Sequence, residues 1–264
     1  MKLGKVILLN KKEGETPLEC LGRFRLRNRA YKNEKMTYAG RLDPMARGLL
    51  LVLVGEEVKN KDKYLKLDKE YEFEILVGFA TDTYDILGKI QHSHILENVG
   101  MLKLEEWERD IRNNLKHFRR KFTQKYPIYS SKTVKGKQLW QYGRNAEEVE
   151  IPEREVSVKK LQFLKIRRIS AKKLLEVIER RIKKVEGHFR QKEIIKLWRK
   201  HLVKDPSARL VLANFKIKCS SGTYVRGIAH SLGEKMGAPA LAFSIKRTTI
   251  GKFGKISGWK RKQY

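Results

Sequence analysis

Two distant stretches of this chain alternate apolar and mostly polar residues. Tyr71, Phe73, Ile75, Val77 and Phe79 form one apolar row, and Val211, Ala213, Phe215, Ile217 and Cys219 form the other. A period of two marks a strand with one face against a core. Residues 156–166 look similar, and residues 2–9 read as a further strand. The apolar run between Gly48 and Gly55 predicts a short strand over 49–54, buried on both faces. Helical spacing appears in three places: Leu174, Leu175, Ile178, Ile182 and Val185; Ile194, Ile195, Trp198 and Leu202; and Val225, Ile228, Ala229, Leu232 and Met236. Gly187 separates the first two. Long strands with interspersed helices, and no regular strand–helix–strand rhythm, predict an α+β fold with a mixed or antiparallel sheet.

Charge narrows the partners. Sixty Lys and Arg against thirty Asp and Glu give +30 over 264 residues. A folded domain tolerates the self-repulsion of such an excess chiefly where a polyanion is its partner. Residues 112–144 hold ten Lys or Arg and no Asp or Glu, interleaved with Tyr126, Tyr129, Trp140 and Tyr142. Cations meet phosphates and rings stack on bases, so this stretch suits RNA; its alternative is a solvated basic face with a few core aromatics. No apolar run reaches the roughly 18 residues of a membrane span, and no signal peptide is visible. Two cysteines, Cys20 and Cys219, make neither a disulfide scaffold nor a zinc ribbon, which fits a reducing cytoplasm.

Three constellations carry chemistry. In Ala39-Gly40-Arg41-Leu42-Asp43-Pro44-Met45-Ala46-Arg47-Gly48 a lone carboxylate precedes a buried strand. Pro44 restricts Asp43 toward extended conformations, and the two glycines permit tight turns or a close backbone neighbour. An ordinary Asp-Pro turn has the same local sequence. Thr81-Asp82-Thr83, Asp85 and Gly88 read as a structural turn rather than a calcium loop. In Cys219 to Arg226 a strand ends and a helix begins near Thr223. Arg226 then lies in the first helical turn, where its charge opposes the dipole, so a specific anionic partner is expected. There is no P-loop and no dinucleotide-binding glycine pattern. His92 and His94 have no third ligand nearby in sequence, and no metal is expected.

Together these segments resemble the tRNA pseudouridine-55 synthase family of the bacterial TruB type. Gly40-x-Leu42-Asp43-Pro44-x-Ala46-x-Gly48 looks like its catalytic motif, and Lys69-x-Tyr71 through Gly88 like its second. Pro127-x-Tyr129-Ser130-Ser131-x-Thr133 with Tyr142-Gly143-Arg144 resembles its thumb. Cys219-Ser220-x-Gly222-Thr223-Tyr224-x-Arg226 and Arg247-Thr248-x-x-Gly251-x-Phe253 resemble two later blocks. Five blocks in order, spread over residues 4–253, are specific where any one is weak.

The resemblance implies a single synthase domain over residues 1–264, with a mixed, largely antiparallel sheet flanked by helices. It implies an inserted thumb at about 119–145, a helical segment at about 170–204, and no C-terminal RNA-binding domain. The implied reaction is isomerisation of uridine to pseudouridine in the T-arm of tRNA, without cofactor or metal, by a cytoplasmic monomer. Asp43 would be the catalytic aspartate, Tyr71 would stack on the flipped uracil, and Arg226 would pair with Asp43. Lys59 would lie near the active site, and Tyr224 and Ile245 would contact the target base. Tyr129, Lys132 and Arg144 would bind RNA from the thumb. The family's His before the catalytic motif is Tyr38 here, so Tyr38 is expected to stack in its place. Asp43 could act as nucleophile at the sugar or base, or as base at C2′. A non-catalytic RNA chaperone on the same fold, and a synthase acting on another RNA, are the rival readings.

Overall fold

A computed structural model describes residues 5–93 and 102–254. His94 and the start of the strand expected over 2–9 lie outside the described residues. The elements in chain order are β1 Val6–Lys11, α1 Pro17–Arg27, β2 Met36–Ala39, β3 Ala46–Val54, α2 Lys61–Leu65, β4 Lys69–Val77, β5 Phe79–Thr81 and β6 Ile90–Ser93. Then follow α3 Leu104–Asn114, β7 Arg120–Lys125, β8 Thr133–Val134, β9 Lys137–Gln138, α4 Leu139–Asn145 and β10 Glu153–Ser170. The chain continues through α5 Ala171–Ile182, α6 Gln191–Leu202, β11 Arg209–Cys219, α7 Val225–Met236 and β12 Ala240–Ile250.

The main sheet has eight strands, in the order β1-β3-β12-β4-β11-β10-β7, with β2 also paired to β3. Every pair is antiparallel except β12 with β3. The α+β architecture with a mixed, largely antiparallel sheet is therefore as expected. Both alternating rows fall on neighbouring strands, with Phe73 opposite Phe215 and Tyr71 opposite Ile217. Cross-strand pairs of this kind are the unit of sheet stability, and the two Phe rings stack at 5.1 Å.

The rows face a core closed by α3 and α7, which adds Trp107, Ile111, Ile228 and Leu232. The opposite face is covered at one end by α5 and α6, whose Leu174, Ile178, Ile194 and Trp198 pack on Leu76, Leu212 and Leu241. Phe79 departs from its expected row. Gly78 takes a left-handed φ of 104°, which ends β4, and Phe79 turns into the second core, 4.8 Å from the Trp198 ring. β3 is buried on both faces, as its unbroken apolar run requires. Leu50 and Val52 meet α1, and Leu51 and Leu53 meet the α2 side.

The basic stretch divides in two. β7 joins the sheet edge along β10, from Arg120↔Val158 to Lys125↔Glu153. The chain then leaves the sheet at Tyr126, whose N–H donates to the Pro152 carbonyl, so the excursion spans 126–152 rather than 119–145. It carries the β8–β9 hairpin and α4.

Candidate active site

Asp43 sits at the first position of a turn that leads straight into β3. Its carbonyl accepts from the Ala46 N–H at 2.9 Å, and Pro44 occupies the second position, where its fixed φ is already correct. The backbone is thus an ordinary Asp-Pro turn, from which the Asp43 side chain reaches Arg226.

The turn is gripped from two sides. Gly48 adopts φ 110° and pairs with Arg247 across the parallel β3–β12 contact. A Cβ at Gly48 would lie 2.2 Å from the Arg247 carbonyl oxygen, so only glycine fits. The Arg247 guanidinium, buried, donates to the carbonyls of Leu49 at 2.7 Å, Arg41 at 3.1 Å and Gly40 at 3.2 Å. From beneath, the Lys11 ammonium, fully buried, donates to the Lys12, Glu15 and Pro44 carbonyls. Burial pushes its pKa down to about 8.

Arg226 supplies the electrostatics. Its Nε donates to Asp43 Oδ2 at 2.8 Å, Nη1 to the Thr83 carbonyl at 2.7 Å and Nη2 to the Tyr129 carbonyl at 2.8 Å. The Arg226 side chain is 3% exposed and that of Asp43 37%. Burial works against the Arg226 charge, but Asp43 and then Asp85 outweigh it and hold its pKa above the ordinary value. The conflict with the dipole of α7 is thus resolved by an anion from another element. Asp85, also buried, accepts from the Thr83 hydroxyl at 2.8 Å and the Leu87 N–H at 2.9 Å. Burial raises its pKa to about 6 against the pull of Arg226.

Two clefts meet at Asp43. One, of about 430 Å³, is lined by Lys69, Tyr71, Tyr224, Ile245 and Arg247. The other, of about 350 Å³, is lined by Tyr38, Leu87, Trp140, Arg144, Phe189 and Arg190. Asp43, Arg226, Arg41, Tyr129, Ser130 and Ser131 border both. The Arg41 guanidinium reaches the Ser131 hydroxyl at 2.5 Å, joining the Asp43 turn to the excursion.

The fold thus brings Asp43, Arg226, Tyr71, Tyr224 and Ile245 together in one cleft, and Tyr38, Tyr129 and Arg144 around the other. Burial raises the Tyr71 pKa, so its ring is a neutral apolar platform at neutral pH. Gln124 on β7 fixes Tyr224, accepting from its N–H at 2.9 Å and donating to its carbonyl at 3.0 Å. Tyr38 stands beside β3 with the Lys61 ammonium 5.9 Å from its ring centroid. Arg144 donates to the His188 carbonyl and lies 5.0 Å over the Trp140 ring. Lys132 and Lys59 line neither cleft. Lys132 is exposed, 5.7 Å from the Tyr126 ring, and Lys59 is exposed on a 3-10 turn, paired with Glu56.

The buried lysine facing Asp43's cleft is instead Lys69. It donates to the Leu65 carbonyl at 2.7 Å, and burial followed by Arg247 lowers its pKa to about 8. Lys69 and Arg247 lie inside sequence motifs, whereas Gln124 and Arg190 reach the site through tertiary packing alone. Among the described residues, no group of three or more His, Cys, Asp and Glu is arranged to hold a metal.

The fold has counterparts among solved structures. The chain superimposes with a TM-score of 0.55 on a crystal structure of a Cbf5–Nop10–Gar1 complex, covering 95% of this chain and 50% of that one at 18% identity. A structure of an H/ACA ribonucleoprotein bound to a substrate RNA containing 2′-deoxyuridine gives 0.52. A family model described as TruB family pseudouridylate synthase, N-terminal domain, matches residues 28–178, more than half of the chain, and the chain belongs to that family. The tRNA pseudouridine synthase B of Caldanaerobacter subterraneus is 33% identical over 223 residues, 84% of this chain and 61% of the relative. That of Limosilactobacillus reuteri is 28% identical over 249 residues, 94% of this chain and 67% of the relative.

Proposed function

We propose that this chain isomerises uridine to pseudouridine in the T-arm of tRNA, at the position the family is named for, with Asp43 as the reacting carboxylate. The observation that carries the reading is the Asp43–Arg226 pair at the junction of two clefts. One carboxylate oxygen is held by a buried guanidinium and the side chain stays partly open. Excess positive charge collects the RNA. Neutralising 6–10 phosphates makes affinity fall by roughly 10³–10⁵ between 50 and 200 mM salt. The target uridine leaves its stack at a cost of a few kcal/mol. Stacking on Tyr71 returns about 1–3 kcal/mol of that, while Ile245 and Tyr224 bound the same cleft.

The reaction breaks the N-glycosidic bond, turns the uracil and joins its C5 to the same sugar carbon, releasing the C5 proton. Nothing is oxidised or hydrolysed overall. The Asp43 oxygen not bonded to Arg226 serves attack on the sugar or base, or proton removal at C2′. Arg226 holds and aims the carboxylate through its Nε–Oδ2 bond. The excursion 126–152 acts as the thumb, with Tyr129 and Arg144 at its base. The protein works as a cytoplasmic monomer with tRNA as its partner. Among the described residues, no helix is long and apolar enough to cross a membrane.

The test is tritium release from a tRNA transcript labelled at C5 of uridine. Wild type releases tritium, and Asp43→Asn loses on the order of 10³-fold or more of the rate while still binding RNA. RNA binding without release by the wild type overturns the reading, and points to a chaperone or a different RNA.

A further inference from the structure

Between β10 and β11, which pair directly as neighbours, the chain inserts the α5–α6 helical hairpin. Its tip, Gly187 to Arg190, reaches the cleft beside Asp43, where Phe189 and Arg190 form part of the wall. Arg190 caps α6 with a left-handed φ of 62°. A non-glycine residue holds that conformation only where its surroundings over-determine it, and functional sites are where such residues cluster.

The surroundings here are two chain segments. Arg190 Nη1 donates to Asp82 Oδ2 at 2.7 Å and to the Tyr129 hydroxyl at 2.7 Å, and Nη2 reaches Asp82 Oδ1 at 3.3 Å. Its guanidinium carbon lies 4.5 Å from the Tyr129 ring centroid. The Tyr129 hydroxyl passes its own proton to the Gly143 carbonyl at 3.0 Å. Two of the three acceptors of Arg226 are the carbonyls of Thr83, next to Asp82, and of Tyr129 itself. Arg190 therefore grips the same two segments whose carbonyls aim Arg226 at Asp43.

We propose that Arg190 is a positioning residue for the isomerisation: it staples the turn at Asp82–Thr83 to the excursion at Tyr129, and so sets the orientation of the Arg226–Asp43 pair. This rests on the proposed function for its kinetic consequence, but not for its structural one. Two segments held by one guanidinium move together. A small displacement of either carbonyl rotates Arg226 and the carboxylate it holds, and misplacement by about 1 Å can cost on the order of 10²-fold in rate.

The experiment compares wild type, Arg190→Ala and Arg190→Lys in two readouts. The first is hydrogen exchange at the Asp82, Tyr84, Leu139 and Trp140 amides, each bonded within the two gripped segments. Arg190→Ala is expected to speed it about tenfold or more while β3 and β4 stay protected. The second is single-turnover tritium release from the C5-labelled tRNA transcript, with RNA affinity measured in parallel. Arg190→Ala is expected to slow release about 10- to 100-fold with affinity nearly unchanged, and Arg190→Lys, which keeps the charge but not the two-sided grip, to fall between. Unchanged exchange, or an unchanged rate in an active enzyme, overturns the proposal. So does a Lys variant equal to wild type. A loss confined to affinity, with the salt slope reduced by about 1, makes Arg190 a phosphate contact instead and also overturns it. Absence of release from wild type overturns the proposed function, and exchange still decides whether the staple exists.

Discussion

The two clefts that meet at Asp43 are built differently. The Tyr71 side takes several of its side chains from strands, Tyr71 on β4 and Ile245 and Arg247 on β12 with Gly48 of β3 locked against Arg247, beside the loop residues Ser221 to Tyr224. The Tyr38 side draws on short or irregular pieces: the end of β2, the excursion 126–152 and the tip of the α5–α6 hairpin. Strands in the middle of a sheet hold a side chain to a fraction of an ångström, which chemistry demands. Loops on a rigid scaffold are where recognition is usually carried. Under the proposed function, the first cleft takes the reacting uridine, and the second bears on the RNA through Tyr38 and Arg144 and on the rate through Arg190.

The hardest way to break that division is at the shared pair. Arg226→Ala strands a partly buried carboxylate and two backbone acceptors, so stability should fall by about 3 kcal/mol in chemical denaturation, and turnover should fall with it. Next comes the strand-borne cleft. Tyr71→Ala should slow single-turnover release by roughly 5- to 150-fold, the worth of one stacked base, whereas Tyr71→Phe keeps most of it. Equal losses in both variants would mean that the hydroxyl, not the ring face, is what counts.

In the loop-borne cleft, Tyr38→Ala should weaken RNA affinity or turnover up to about tenfold, and unchanged values in both would remove Tyr38 from the stacking role expected of it. The smallest effect concerns Asp85. Its folded pKa, raised to about 6, lies above its unfolded value, so its contribution to stability is full below about pH 4 and is lost as pH rises through 6. Asp85→Asn should flatten that part of a stability-against-pH curve, and an unaltered curve would show that the carboxyl titrates normally.

Much of this site was legible because it is written locally. Asp-Pro before an unbroken apolar run gives a turn entering a buried strand, and alternation with period two gives the row that carries Tyr71. The misplaced dipole partner of Arg226 announced an anion without naming it. Other parts were written locally but faintly. Thr16 and Glu19 form a capping box for α1, with each side chain bonded to the other's backbone, but the apolar stripe behind it is too weak to mark a helix by its period. α3 buries only Trp107 and Ile111 through its length, too narrow a stripe to read among its charges.

The sequence by itself determined the sheet's apolar rows, the Asp43 turn, the positive charge and the family motifs. Those depend on propensities and periods that act within a few residues. Tertiary structure alone decided the rest. It put Lys69 rather than Lys59 in the lining of the cleft that Asp43 borders, turned Phe79 into the second core, and placed Lys11 beneath Pro44 and Arg190 across Asp82 and Tyr129. Each depends on contacts between residues far apart in the chain. Such contacts are fixed by how the sheet packs against its helices, and no local pattern records them.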